Sequence, residues 1–324
     1  MVKKQTTALV LLSGGLDSIL AVKLLQEQGI KVIGINFYSE FFGNTKAIEA
    51  AEQLRIPFVS IKLGKKYIKM IKNPKYGYGS AMNPCIDCRI FMLKIAKKLM
   101  RKFHADFIAT GEVLGERQMS QYRGAMINAE KEAGLSRMIL RPLSAKLLEE
   151  TIPEEKGLVD RNKLLDIQGR RRKIQLEMAK KYNLKFPSPG GGCLLCEKEF
   201  AKKLSDLFEH NEINEEDIKL LKLGRHFRYK NKKIIIGRNE IENKELIKFK
   251  GIKMMPSNNI PGPITLLRIN SIFPKKEIIR KAAELTAFYS DLKEPMSIIY
   301  GKRRFNKQIF VILPSKEEVE QIRV

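Results

Sequence analysis

Thr7-Ala8-Leu9-Val10-Leu11-Leu12 runs without a break into Ser13-Gly14-Gly15-Leu16-Asp17-Ser18, and this junction carries most of what the chain says about its architecture. Six uncharged, mostly apolar residues read as a buried strand of a parallel sheet. Ile19 to Gln28 then places Leu20, Val22, Leu24 and Leu25 at helical spacing, and Gly29 closes the helix. Strand, glycine turn and helix together make a phosphate cradle. Gly14 and Gly15 let the backbone turn tightly and approach an anion, and the unpaired N–H groups of the helix start point at it. Ser13 and Ser18 add hydroxyl donors. Asp17 would repel phosphate unless it holds Mg²⁺ bridging to phosphate oxygens. The Gly-Lys-Ser/Thr ending of a Walker A loop is absent.

Working outward, Lys31–Phe37 and Pro57–Leu63 read as strands and Lys46–Arg55 as a helix, followed by a helix at Ile90–Phe103 and a strand at Asp106–Thr110. This alternation predicts an α/β fold, a parallel sheet with helices on both faces. The pattern changes near residue 200. Phe227–Arg238, "ITLLRI" and "QIFVIL" look like strands, and "KKEIIRKAAELTAFYS" like a helix. A smaller α+β domain is expected there, dividing the chain into residues 1–205 and 206–324.

The formal net charge is +25, which favours a polyanionic partner. An acidic lead-in, Glu212 to Asp217, precedes a basic body: residues 221–310 hold 21 Lys and Arg against 7 Asp and Glu. The segment Met1 to Gln5 leads into the first strand with no signal-peptide core, and no uncharged apolar run reaches about 18 residues. A cytoplasmic protein without membrane association is expected.

The four cysteines form two pairs, Cys85-Ile-Asp-Cys88 and Cys193-Leu-Leu-Cys196. The fold must bring the pairs together, because a zinc ribbon spaces them by about 15–20 residues. Both segments look like loops at the edge of the α/β domain, where such folds place ligands. Three chemistries fit: a [4Fe–4S] cluster on Cys85, Cys88 and Cys193, with Cys196 a fourth ligand or a spare; a persulfide resolved by a second thiol; or a structural Zn²⁺ site.

Together, the SGGLDS loop, Asn83-Pro84-Cys85-Ile86-Asp87-Cys88 and Gly191-Gly192-Cys193 resemble the tRNA-thiolating enzymes of the PP-loop ATP pyrophosphatase class, the 2-thiouridylases and 4-thiouridine synthetases. "ATGEVLGERQMSQ" (109–121), "RPLSAKLLEETIPE" (141–154), "DIQGRRRKIQ" (166–175) and "FPSPGGGCLL" (186–195) extend the likeness over residues 1–205. It implies ATP held by Ser13, Gly14, Gly15 and Ser18, with Asp17 on Mg²⁺, Asn36 and Phe37 near adenine or ribose, and Gly111 and Glu112 lining the other side. A uridine carbonyl oxygen attacks the α-phosphate, and sulfur from Cys85, Cys88 or Cys193 replaces it. Arg117, Arg141, Arg170 and Arg172 are candidates to offset phosphate charge, while Arg170–Arg172 also fit a solvated face. His104 reads as structural.

Two departures stand out: Arg89 follows Cys88 where these families carry Asn or His, and no THUMP domain precedes the loop. The segment "GRHFRYKNKKIIIGRNEIENKEL" (224–246) instead resembles the RNA-binding domain of NFACT-type proteins. That implies tRNA as partner, with Arg225, Lys232, Lys233 and Arg238 on phosphates, His226 beside them, and Phe227 and Tyr229 either stacking on bases or filling a core. A sulfide or persulfide donor is required, and a homodimer is compatible. Position 8 and position 34 both fit as the target uridine. Another PP-loop adenylation, or a non-catalytic tRNA- or ribosome-binding protein, remains the alternative.

Overall fold

A computed structural model describes residues 5–188, 192–211, 214–257, 260–269 and 275–324. The Met1–Lys4 start, the Pro189-Gly190-Gly191 stretch and the beginning of the acidic lead-in at 212–213 lie outside the described residues. The chain divides into two units, one ending at Glu197 and the other beginning at Lys198.

In the first unit β1 (Thr7–Leu11), α1 (Leu16–Glu27), β2 (Lys31–Tyr38), α2 (Thr45–Leu54) and β3 (Phe58–Lys62) follow one another. Next come α3 (Lys65–Lys72), α4 (Cys85–Lys102), β4 (Phe107–Thr110), α5 (Arg123–Ala133) and β5 (Ile139–Leu140), then the short α6 (Ile152–Glu155) and α7 (Lys173–Lys181). The five strands are all parallel, in the order β3-β2-β1-β4-β5. Both faces of β1 are buried. Ala8 and Val10 enter a core with Ile19 and Val22 of α1 and Ala50 and Leu54 of α2, while Leu9 is equally sealed between them in sequence. The chain winds outward from β1 to β3 and then returns to β4 on β1's other side. The crevice at that reversal, beyond the carboxyl ends of β1 and β4, is where open α/β sheets take ligands.

The helix expected at Ile90–Phe103 starts five residues earlier. Cys85 and Cys88 therefore form the first turn of α4 and not a loop. Pro84 sits at its N-cap, where a missing N–H costs nothing, and Asp87 lies in the first turn. His104, exposed with φ 51°, closes this helix.

The second unit holds α8 (Lys198–Glu209), α9 (Glu215–Leu220), β6 (Arg225–Tyr229), β7 (Lys232–Ile236), α10 (Glu240–Leu246) and β8 (Ile252–Pro256). It ends with β9 (Thr265–Arg268), α11 (Lys276–Phe288), β10 (Met296–Gly301), β11 (Lys307–Val311) and α12 (Lys316–Gln321). Six antiparallel strands run in the order β11-β10-β8-β9-β7-β6. One face packs on α11 through Phe227, Ile234, Met254, Leu267, Ile298 and Val311. The other packs Ile235, Ile264 and Leu266 against Leu220 and Leu246 of α9 and α10.

The boundary falls eight residues before the expected 205/206. The cause is α8, whose Phe200, Leu204, Leu207 and Phe208 are buried and whose Asp206 accepts two hydrogen bonds from Arg228 (2.8 and 2.6 Å) and one from Lys233 (2.8 Å). Burial opposes ionisation of Asp206, but Arg228 and Lys233 outweigh it and hold the carboxyl at about 2. A carboxyl depressed on folding stabilises above its unfolded pKa of about 3.9 and loses that contribution as pH falls toward 2. Asp206→Ala removes the carboxylate shared by Arg228 and the buried Lys233 ammonium, so urea unfolding at pH 7 is expected to show a loss of about 3–5 kcal/mol. The gap to wild type should narrow below about pH 4; a constant gap would exclude the ion pair as its cause.

No helix among the described residues is long and apolar enough to cross a membrane.

Candidate active site

The phosphate loop is held by its own hydroxyls. Ser18 donates to the carbonyl of Gly15 (2.8 Å) and accepts from Ser13 through its N–H (3.3 Å) and its hydroxyl (3.2 Å). Gly15 is the N-cap of α1 and no side chain caps the helix, so its first N–H groups face the crevice unclaimed. Two glycines let neighbouring elements close on the loop. Gly14 has φ +79°, and a Cβ there would lie 2.2 Å from the carbonyl oxygen of Lys46 in α2. Gly111, just beyond β4, packs so tightly on α1 that a Cβ would lie 2.4 Å from Ser18 N and 2.5 Å from Asp17 C. Asn36 is buried and donates to the carbonyl of Leu12 (3.0 Å), tying β2 to the loop's entry. Phe37, beside it at the end of β2, is likewise buried, 5% exposed.

Glu112, next to Gly111, anchors an ion-pair chain missed in the sequence. It pairs with Arg89 (2.5 Å) and Arg141 (3.1 Å), and Arg141 reaches on to Glu130 (2.5 Å). Burial alone would raise the Glu112 pKa, yet Arg89 and Arg141 overcome it and hold the carboxyl below its ordinary range. Arg141 is thus a buried structural cation and not a phosphate ligand. Arg89 finds its reason here: it locks the first turn of α4, and with it Cys88, to the end of β4.

Across the loop, Arg172 approaches Asp17 Oδ2 at 3.5 Å, while Arg170 and Arg171 are exposed. Burial raises the Asp17 pKa against the opposing pull of Arg172 and Arg117. Asp17 Oδ1 and Arg172 Nε have no hydrogen-bond partner among the described residues, and the amide of fully buried Gln175 lies near enough to Asp17 to favour its ionised form. An unpartnered carboxylate oxygen at a phosphate cradle fits a divalent cation such as Mg²⁺, which Asp17 would hold and which would favour its ionised form.

The two cysteine pairs converge. Cys193 lies close enough to Cys88, Cys85 and Cys196 for their thiolates to repel one another. The Leu194 N–H donates to the carbonyl of Phe41 (3.0 Å), pinning the turn that carries Cys193 and Cys196. Cys88 shares a 3.1 Å hydrogen bond with the hydroxyl of Tyr67, whose buried ring is caged by Phe41, Phe42 and Phe91. Asn83 donates to Cys85 Sγ (3.3 Å). Burial pushes Cys88 up to about 11 and Cys193 up to about 12, so both are thiols at neutral pH. Cys196 is exposed, and Arg117 lies near enough to act on both Cys196 and Asp17. Among the described residues no group of three or more His, Cys, Asp or Glu is arranged to hold a metal ion. The sulfurs share a neighbourhood without forming a coordination set, for iron or for zinc.

The cations expected to meet RNA are mostly engaged. Lys233 is 2% exposed and paired with Asp206. Arg238 is clamped by Glu242, and Arg225 stacks over Tyr289 at 4.7 Å. Lys232 is half-buried in β7. His226 is sealed, donating to the carbonyl of Leu223 (2.8 Å), with its pKa lowered by burial and by Lys233; it meets no phosphate. Phe227 is core, and Tyr229 packs beside it.

Comparison with known proteins agrees with this division. The family described as "Thiamine biosynthesis protein (ThiI)" matches residues 3–152, and "NFACT protein RNA binding domain" matches residues 224–322. Each match falls within one unit: the first unit is similar to the ThiI family over residues 3–152, and the second to the NFACT RNA-binding domain over residues 224–322. A probable tRNA sulfurtransferase of Finegoldia magna is 33% identical over 146 residues, covering 42% of this chain and 35% of that protein. The tRNA-specific 2-thiouridylase MnmA 2 of Clostridium botulinum is 30% identical over 154 residues, covering 44% and 43%. The chain thus spans less than half the length of these curated relatives. A 4-thiouridine synthetase–RNA complex with bound ATP aligns with a TM-score of 0.35 at 20% identity, over 55% of this chain and 50% of that one.

Proposed function

We propose that the chain uses ATP to thiolate a uridine of tRNA. The observation that carries this reading is the tie between the phosphate loop and the cysteine turn: Gly111 packs on Ser18 and Asp17, and its neighbour Glu112 pairs with Arg89 in the helix that begins at Cys85 (2.5 Å). Adenylation and sulfur transfer then share one crevice. The free N–H groups of α1 with Ser13 and Ser18 bind the phosphates, Asp17 holds Mg²⁺, and Arg117 and Arg172 offset charge as pyrophosphate departs. A uridine carbonyl oxygen attacks the α-phosphorus, which converts that oxygen into part of a good leaving group, AMP.

Sulfur arrives as a cysteine persulfide, loaded by an external donor. Its terminal sulfur attacks the ring carbon and expels AMP, leaving the ring joined to the cysteine through a disulfide. A second thiol, from Cys193 or from the Cys85/Cys88 pair, attacks the cysteine sulfur and frees thiouridine. A cysteine disulfide remains, and a dithiol reductant reopens it. NFACT-type domains are described as RNA-binding, and this module would supply the tRNA contacts.

The test is anaerobic purification, iron analysis, and incubation with unmodified tRNA, ATP, Mg²⁺ and a sulfur donor. AMP release with thiouridine in the digested tRNA is the expected result, and the digest identifies the uridine. Iron with broad visible absorption would move the sulfur to a cluster on Cys85, Cys88 and Cys193. AMP without thiouridine under every donor would favour another PP-loop adenylation, and neither product would leave a binding protein.

A further inference from the structure

We infer that the RNA-binding surface of the second unit is the basic tip and open face of the β10–β11 hairpin, and that it takes unpaired bases of RNA. The inference rests on the tRNA reading above and gives it a location away from the strands singled out in the sequence.

Cross-strand partners share a face of a sheet, so register shows which side chains stand together. Phe310 lies opposite Ser297, Gln308 opposite Ile299, and Ile299 opposite Met255. Phe310, Ile299 and Met255 therefore occupy one face, and Ile312 continues it past the end of β11. Toward β7 and β9 this same face is covered by α9 and α10. Toward β11 the cover stops. Phe310 is 61% exposed and Ile312 71%, while Ile299 and Met255 are half-buried beneath them. The opposite face of the hairpin is closed by α11 through Ile298 and Val311. Half of one sheet face is thus open, apolar and fronted by a phenylalanine.

Charge identifies the occupant. Residues 296–311 contain Lys302, Arg303, Arg304 and Lys307 and no Asp or Glu. The four cations lie at or beside the turn, with exposed Phe305 between them. Arg303, Arg304 and Lys307 make no salt bridge among the described residues. Toward the β6 edge of the sheet the cations are matched by carboxylates: Arg228 and Lys233 by Asp206, Arg238 by Glu242, and Arg268 by Asp217. Ion-paired cations cannot release counterions from a phosphate backbone, whereas Arg303, Arg304 and Lys307 can. Aromatic faces beside a cationic track are the arrangement that holds single-stranded nucleic acid, with bases stacked on rings and phosphates on the cations. A second copy of this chain is the other natural occupant of an edge strand. Two copies of β11 would bring cations and no carboxylate to their contact, so charge does not complement there.

Binding of full-length protein to a 12-nucleotide single-stranded RNA and to unmodified tRNA is measured over a salt series. In the triple variant Arg303→Ala/Arg304→Ala/Lys307→Ala the slope of log K against log salt should fall by about 2. In Phe310→Ala affinity should drop at least about fivefold with the slope unchanged, because one stacked base is lost. The substituted residues are all exposed, and thermal unfolding matched to wild type serves as the control for folding. If wild type binds RNA and both variants match it, the hairpin is not the surface and the tRNA reading stands. If wild type binds neither RNA, both fail together. If Phe310→Ala instead converts a dimer to a monomer in sedimentation while RNA binding is kept, the face belongs to a second copy and the inference is overturned.

Discussion

Gly111→Ala is expected to lower ATP-dependent AMP release by at least about 100-fold while the protein remains folded. The added methyl would meet backbone and not a movable side chain: Ser18 N at 2.4 Å and Asp17 C at 2.5 Å. Normal heavy-atom contact begins near 3.5 Å, so α1 and β4 must part by about 1 Å. The atoms displaced are those that hold ATP, since the first N–H groups of α1 and the Asp17 carboxylate move with them. The glycine next to the loop therefore carries a positional requirement, not only a need for flexibility. Gly43→Ala is the control, because a Cβ there meets nothing within 4 Å and its backbone is ordinary. Thermal unfolding of both variants separates a displaced loop from an unfolded chain. Full AMP release by Gly111→Ala would mean that ATP does not depend on the register of α1 against β4.

The parts of this site legible in the sequence are those built from local rules. Strand, glycine turn and helix at residues 7–28 follow from hydrophobic run, backbone freedom and helical spacing, each contained within a few residues. What tightens the loop is not local. Gly14 answers to Lys46 and Gly111 to Ser18, and no pattern in either neighbourhood announces that contact. The Cys85 turn left a readable signal, Pro84 ahead and Asp87 within, which places a helix start where a loop was expected. In the second unit, net charge pointed toward a polyanion, but the basic strand β7 chosen for it is a central one. Lys233 is neutralised by Asp206, which comes from a helix that the sequence boundary had cut in two. Likewise Glu112, Arg141 and Glu130 are unexceptional singly and become a buried chain only once β4, β5 and α5 meet. Charge run and alternation say that a face exists; tertiary pairing decides which cations remain available.

Cys193→Ala is expected to reduce thiouridine formation by at least about 10³-fold while AMP release continues. The separation follows from what each group touches. Adenylation needs the phosphate loop and a uridine oxygen and involves no thiol. Sulfur transfer needs a thiol that can reach its partners, and Cys193, half-buried like Cys85 and Cys88, has all three other cysteines near enough to act on it. Cys196 sits on the exposed side of the same turn, so Cys196→Ala should retain activity within about tenfold, its loss leaving the Cys193–Cys88–Cys85 neighbourhood intact. Because the Leu194 N–H binds the Phe41 carbonyl, the turn stays anchored in both variants, and Cys193→Ser keeps the side chain's size as a further guard. If Cys193→Ser loses AMP release as well, Cys193 holds the crevice together and its sulfur chemistry is not demonstrated. If Cys193→Ala thiolates like wild type, sulfur does not pass through this cluster. Retained AMP release with lost thiouridine is the one outcome that requires two chemistries in one crevice, because adenylated uridine must then form and decay to water with no sulfur to intercept it.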